Sequence, residues 1–290
     1  MSSIVLSSAL QLGLIYSLVA LGIFLTFRVI NFPDLTVDGT FPLGAAVAAG
    51  ALIHGFHPVV ATLLAFFAGA MAGVITGYLH VKLRVMGLLA GILTMTALYS
   101  VNIRIMHGPN IALLNVTTLF PANFSPMFVL ASIVFFIIAL TAFFFLSEYG
   151  LAIRASGTNA RLSRAYGIRI GKATVITLAF SNALVALAGA LFAQLQGFAD
   201  VSLGAGTLIS GLAAVIIGEA ILISPNIIVQ LFACLLGAIV FRLAIAFSLN
   251  SGALGLQASD LNLMTAGLII LTLMIPRFRN LVVRKREVYD

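Results

Sequence analysis

The feature that most constrains this chain is a series of nine predominantly apolar stretches, separated by short polar or basic connections. A helix of about 20 apolar residues crosses a bilayer while satisfying its own backbone hydrogen bonds. Only 8% of the 290 residues are charged, whereas soluble domains average about 25%. The sequence therefore predicts an all-α polytopic membrane protein with one transmembrane domain over residues 1–290. The spans are expected at 5–30, 36–55, 58–81, 85–106, 127–147, 173–195, 203–222, 226–248 and 262–276.

The positions of the basic residues predict the orientation of the spans. Most Lys and Arg residues lie in the connections 82–84 and 148–172 and in the tail 277–290. Because Lys and Arg favour the cytoplasmic side of a membrane, all three segments are expected there. Nine spans then leave the N-terminus outside and the C-terminus inside. The net charge of +7 is therefore explained by the basic residues that orient the spans in the membrane. No nucleic-acid partner is expected.

Two sequence matches at one offset of 166 residues indicate an internal repeat. Leu-Val-Ala-Leu at 18–21 recurs at 184–187, and Phe-Pro-Asp-Leu-Thr at 32–36 corresponds to Phe-Ala-Asp-Val-Ser at 198–202. Spans one to four would then correspond to spans six to nine. An odd linking span between them inverts the second repeat, an arrangement that characterises transporters.

The repeat divides the chain into two repeated units, a linking span, a loop and a tail. Repeat one covers 5–106, repeat two covers 173–276, and the linking span is 127–147. The loop 148–172 and the tail 277–290 complete the chain on the cytoplasmic side. Each repeat is expected to contain a broken half-helix, since Gly and Pro interrupt both 38–44 and the segment from 203 onward.

Acidic and hydroxyl residues precede or begin these half-helices. Asp34 and Asp200 either cap the half-helices or contact the solute directly, and the sequence leaves both roles open. Asp38 has no acidic counterpart in the second repeat. Glu219 either faces a cavity or partner within the membrane or lies near the cytoplasmic headgroups. The candidate pathway or gating residues are Asp34, Thr36, Asp38, Thr40, Asp200, Ser202 and Glu219.

The loop 148–172 is basic, with five cationic residues and Glu148 as its only acid. Gly157 is expected to break one helical turn, Thr158 or Asn159 to cap the next, and Gly167 to end it. Leu162, Ala165 and Tyr166 would then share one apolar helix face. The loop is either a solvated connection that fixes topology or a helix that docks in a groove of a cytoplasmic partner.

The motifs of common enzymes and metalloproteins are missing from the sequence. There is no phosphate-binding Gly-x-x-x-x-Gly-Lys-[Ser/Thr] loop and no dinucleotide fingerprint, so the chain is not expected to bind ATP itself. No catalytic constellation is present, and the four histidines do not cluster as metal ligands. We therefore expect neither catalytic residues nor a metal site.

Several motifs bear a family resemblance. The run from Gly150 to Ile168, with Arg154-Ala155 and Gly157 inside it, resembles permease subunits of bacterial ABC importers for branched-chain amino acids and ribose-type sugars. The stretches 31–39, 92–100 and 104–110 are most similar to the branch named for tryptophan or tyrosine uptake. The Asp-rich stretch 31–39 departs from the family's commonest Asn-Phe-x-x-Gly form.

The resemblance implies that the loop contains a coupling helix, which docks in a cleft of an ATPase. The implied docking residues are Arg154, Ala155, Gly157, Asn159, Arg161, Leu162, Arg164, Tyr166 and Gly167. It also implies two ATPase subunits carrying ATP and Mg²⁺, a second permease chain and an extracytoplasmic solute-binding protein. The second permease chain is either a copy of this one or a paralogue, and the branch resemblance favours a homodimer. The location would be the bacterial cytoplasmic (inner) membrane.

The expected function is the permease subunit of an ATP-driven importer of a small polar solute. The expected solute is an amino acid, and aromatic amino acids are among the candidates. An ATP-independent carrier or facilitator is the alternative, because inverted repeats and broken helices suit it equally. The scarcity of intramembrane ion-coupling residues argues against the carrier. A membrane enzyme has no catalytic constellation to support it.

Overall fold

The computed structural model describes residues 3–120, 124–250, 266–267 and 270. In chain order the elements are α1 (Ser3–Ile23), a π-helix (Phe24–Val29), α2 (Val37–Ile53), α3 (Pro58–Val81), α4 (Gly87–Met106), β1 (Asn110–Ala112), α5 (Pro126–Leu146), α6 (Glu148–Thr158), α7 (Ala160–Ala165), α8 (Ile170–Gln196), β2 (Phe198–Asp200), a 3-10 helix (Val201–Gly204), α9 (Thr207–Ile221) and α10 (Ile227–Asn250).

Within these residues, seven helical segments are long and apolar enough to cross a membrane. They are Ser3–Val29, Pro58–Val81, Gly87–Met106, Pro126–Leu146, Ile170–Gln196, Val201–Ile221 and Ile227–Ser248. The predicted helical, multi-pass class is confirmed. The predicted span 262–276 and the tail 277–290 lie outside the described residues.

Helix α2 corrects the prediction of a full span at 36–55. It has 17 residues, which makes it about 25 Å long and shorter than the roughly 30 Å apolar core of a bilayer. The helix is also continuous, although Pro42 was expected to break it. Pro42 lies in the second turn of the helix and has no N–H to donate to the carbonyl of Asp38. The backbone of Gly204 packs against that carbonyl instead. A Cβ on Gly204 would lie 2.9 Å from that carbonyl carbon.

The helical segment from Val201 to Ile221 is interrupted, as predicted for the residues from 203 onward. The 3-10 helix ends at Gly204, and Gly206 adopts a left-handed conformation with φ of 81° before α9 begins at Thr207. Glycine takes this conformation without the steric cost that other residues incur. The 3-10 helix and α9 are therefore separate helices.

Small residues let α2, α3 and α8 pack at backbone contact. A Cβ on Gly44 of α2 would lie 2.5 Å from the carbonyl carbon of Ala186, and one on Gly73 of α3 would lie 2.5 Å from that of Leu178. Both partners belong to α8. Close backbone approach through small residues is the usual way for helices to associate in lipid. Helix α8 is consequently buried between α2 and α3.

A two-stranded antiparallel ribbon connects the loop after α4 to the turn after α8. Strand β1 pairs with β2, with Asn110 opposite Asp200 and Ala112 opposite Phe198. The sequence predicted both loops on the external side without predicting that they pair. Because β2 leads directly into the 3-10 helix, pairing with β1 fixes the position at which that helix begins.

Candidate functional site

The predicted docking segment consists of two short helices. Ser147 caps α6 by accepting a hydrogen bond from the N–H of Gly150, at 3.4 Å. Asn159 caps α7 through its side-chain oxygen, which accepts from the N–H of Leu162 at 3.0 Å. Gly167 follows α7 with φ of 80°. Of the two expected caps, Asn159 is the one observed, and Gly167 ends the helix as predicted.

Helix α7 exposes an apolar face. Leu162 is 54% exposed and Tyr166 is 78% exposed, and Ala165 lies beside them on the surface. Arg161 and Arg164 are also exposed, whereas the face of Ser163 is buried against the rest of the chain. The described structure thus holds one side of α7 and presents an apolar patch flanked by arginines on the other.

Gly157 does not break the helix as expected, because it lies inside α6. Its absent side chain allows α6 to rest on the end of the π-helix. A Cβ there would lie 2.8 Å from the carbonyl carbon of Val29 and closer still to its oxygen. Asn31, at φ of 52°, donates from its side-chain amide to the carbonyl of Gly157 at 3.0 Å. The segment is therefore fixed to the end of the first span.

Beside this contact, a cavity of about 430 Å³ contains charged side chains from three elements. Arg28 comes from the π-helix, Arg154 from α6 and Glu219 from α9. Arg28 and Glu219 form an ion pair that joins the two halves of the chain. The charge of Glu219 is thus compensated by a cation from the other half of the chain.

Asp34 lies at the centre of a buried hydrogen-bonded cluster. Its carboxylate accepts from the backbone N–H of Thr36 at 3.0 Å and from the side-chain amide of Asn182 at 2.7 Å. Asn182 in turn accepts from the hydroxyl of Thr40 at 2.8 Å. The hydroxyls of Thr36 and Thr76 are 2.8 Å apart. All five side chains are fully buried. Because an unpaired polar group in such a place is costly, these hydrogen bonds stabilise the packing of the surrounding helices.

Asp200 repeats the local turn of Asp34, and Asp38 has a separate role. Asp200 accepts from the N–H of Ser202 at 2.7 Å, just as Asp34 accepts from an N–H two residues later. Asp38 accepts from the N–H of Leu208 at 2.7 Å. Since no side chain of its own segment caps α9, Asp38 supplies that cap from α2.

Sequence reasoning missed Asn182 and Thr76. Both are polar residues within long, mostly apolar spans, and a polar residue at membrane depth is the signal that would have identified them. The described residues contain no group of three or more His, Cys, Asp or Glu side chains arranged to hold a metal ion.

Comparisons with known proteins define the class of protein that this fold represents. A family model described as the permease component of a branched-chain amino acid transport system matches residues 5–275. The chain therefore belongs to that permease family, as its motifs predicted, and it is a multi-pass membrane protein of the ABC-transporter permease class.

Individual relatives cover most of the chain. It is 38% identical over 263 residues to the tyrosine transport system permease protein of Clostridioides difficile (strain R20291), spanning 91% of this chain and 88% of the relative. It is 36% identical over 258 residues to an uncharacterized protein, RP368, of Rickettsia prowazekii (strain Madrid E), spanning 86% and 90%. The structure of PsaBC from Streptococcus pneumoniae in complex with Fab matches with a TM-score of 0.58 over 97% of this chain and 94% of that one. At 17% identity, this match indicates a shared fold alone.

Proposed function

We propose that this chain is the membrane-spanning subunit of an ATP-driven, binding-protein-dependent importer in the bacterial inner membrane. Its cargo is a small polar solute, an amino acid, because a relative that spans most of the chain is named for tyrosine transport. The chain itself performs no hydrolysis. Two cytoplasmic ATPase subunits carry ATP and Mg²⁺, a second copy of the permease completes the pathway, and an extracytoplasmic protein delivers the solute.

The exposed apolar face of α7 carries this proposal. Leu162 and Tyr166 are large apolar side chains on a helix whose opposite side is buried, and arginines flank them. Such a patch on a short helix is typical of a surface that docks in a groove. The contact of Gly157 with Val29 supports a route from this helix to the first span, since movement of α6 would move the end of that span.

The packing of the helices supports the inverted repeat. In the proposed repeat, α1 corresponds to α8 and α3 corresponds to α10. The packing of α1 on α10 in one half is then matched by the packing of α8 on α3 in the other. The matching turns at Asp34 and Asp200 support the same relation. The proposed orientation, with the N-terminus outside, puts α6 and α7 in the cytoplasm and the β1–β2 ribbon outside.

The proposed pathway residues differ in burial and in their contacts, and we propose a different role for each group. Asp34, Thr36 and Thr40 are enclosed and act by holding α2 against α8. Asp38 and Asp200 are only partly buried, so solute contact or gating is proposed for them and for the exposed Ser202. Glu219 acts at the cytoplasmic end through its pair with Arg28.

The docking face is tested by recovering the tagged chain from gently solubilised membranes. Leu162→Asp should abolish recovery of the ATPase without unfolding the chain, because exposed substitutions change stability by only about 0.5 kcal/mol. The matched control is Leu114→Asp, which alters a side chain that is 78% exposed near the β1–β2 ribbon. Equal recovery with Leu162→Asp would refute the assigned face. Recovery of no ATPase with the unaltered chain would favour the ATP-independent carrier.

A further inference from the structure

Two apolar grooves flank the start of α8 at its predicted cytoplasmic end. The first has a volume of about 560 Å³ and lies between α8 and the end of α3, with walls that include Tyr78, Val81, Val175 and Ile176. The two helices meet closely there, since a Cβ on Gly171 would lie 2.6 Å from a methyl carbon of Val81. This contact leaves an open apolar groove at the side of the helix pair.

The second groove lies on another side of α8, against α5 and α6. Its volume is about 420 Å³, and its walls include Phe144, Tyr149, Ile153, Ile168 and Ile176. The walls of both grooves are almost entirely apolar. Tyr78 and Tyr149 are aromatic residues of the kind that concentrates at the interface between membrane and water.

The same cations lie beside both grooves. Arg169 and Lys172 line each of them, and Lys82 lines the first. All three are exposed. Among the described residues, the only ion pair within 4.0 Å joins Arg28 to Glu219, so no described carboxylate neutralises these cations. Positive charge is thus concentrated where the two apolar grooves meet.

We propose that this surface binds an anionic phospholipid of the cytoplasmic leaflet. The headgroup phosphate lies between Arg169 and Lys172, and the acyl chains occupy the grooves on either side of them. Basic pockets at the cytoplasmic ends of membrane helices suit anionic headgroups, and apolar grooves suit acyl chains. A soluble phosphate ion would use only the cations and would leave both grooves empty. The site is independent of the proposed transport activity.

The test measures which lipids stay bound to the purified chain. The protein is incorporated into nanodiscs of equimolar phosphatidylglycerol and phosphatidylcholine, and the retained lipids are counted by native mass spectrometry. The unaltered chain should retain phosphatidylglycerol preferentially. Each cation near an anionic surface contributes roughly a fivefold preference, so Arg169→Gln with Lys172→Gln should reduce the ratio of the two lipids by about 20- to 30-fold.

Two further variants keep the result interpretable. Arg161→Gln with Arg164→Gln removes the same charge from α7, whose arginines line neither groove, and should leave the lipid ratio within about twofold of the unaltered chain. Lys82→Gln alone should lower the ratio by about fivefold, and it serves if the double variant does not fold. Equal retention of the two lipids by the unaltered chain would overturn the proposal. So would an equal loss in the α7 control, or displacement of the lipid by inorganic phosphate.

Discussion

Replacing Gly157 with alanine should loosen the attachment of α6 to the first span. Gly157 rests on the carbonyl of Val29, where a Cβ would lie 2.8 Å from the carbonyl carbon. Ordinary contact begins at 3.4 Å, so the two backbones must separate by at least the difference, 0.6 Å. The neighbouring bond from the Asn31 amide to the Gly157 carbonyl, now 3.0 Å, would lengthen with them.

The size of the effect follows from three contributions. Overpacking a tight contact costs about 1–3 kcal/mol, and losing the Asn31 bond costs about 0.5–1.5 kcal/mol. Alanine favours the helix over glycine by about 1 kcal/mol, which offsets part of this cost. Gly157→Ala should therefore reduce the free energy of unfolding by about 0.5–3.5 kcal/mol.

The assay is reversible unfolding in mixed detergent micelles titrated with sodium dodecyl sulfate. The matched control is Gly50→Ala in α2, where a Cβ would meet nothing closer than 3.4 Å. That control should be neutral or stabilised by up to about 1 kcal/mol. If Gly157→Ala were as stable as Gly50→Ala, α6 would not be fixed at this carbonyl and the proposed route to the first span would fail.

Two other substitutions test the buried polar contacts in the same assay. Asp38→Ala removes the hydrogen bond to the N–H of Leu208 and should cost about 0.5–2 kcal/mol. Asp38→Asn keeps the acceptor and should cost less, and equal losses would rule out the cap. Asn182→Ala removes one hydrogen bond from the buried carboxylate of Asp34 and one from the hydroxyl of Thr40, although Thr36 still pairs with both groups. The substitution should cost about 1–3 kcal/mol. A loss below about 0.5 kcal/mol, the level of a surface change, would contradict the cluster.

Most of the apolar helices and the short helix α7 were predictable because their signals are local. Apolar runs locate the helices since burial in lipid depends on residue type and length alone. Asn159 and Gly167 mark the ends of α7 because a side-chain cap and a left-handed glycine act within a few residues. The family follows from the same local motifs, and the match over residues 5–275 confirms it.

Tertiary structure alone decided the roles of Asp38, Asn182 and Gly157. Asp38 caps a helix that begins far along the chain, since Leu208 lies 170 positions after Asp38. Gly157 was misread as a helix break, because its actual partner, Val29, belongs to another element. Pro42 was misread likewise, since a helix continues through proline where its neighbours accommodate the missing bond. The sequence determined which segments are apolar enough to enter a membrane, since that depends on the composition of each segment alone. Which of their polar groups meet depends on how the segments pack, and only the folded chain decided it.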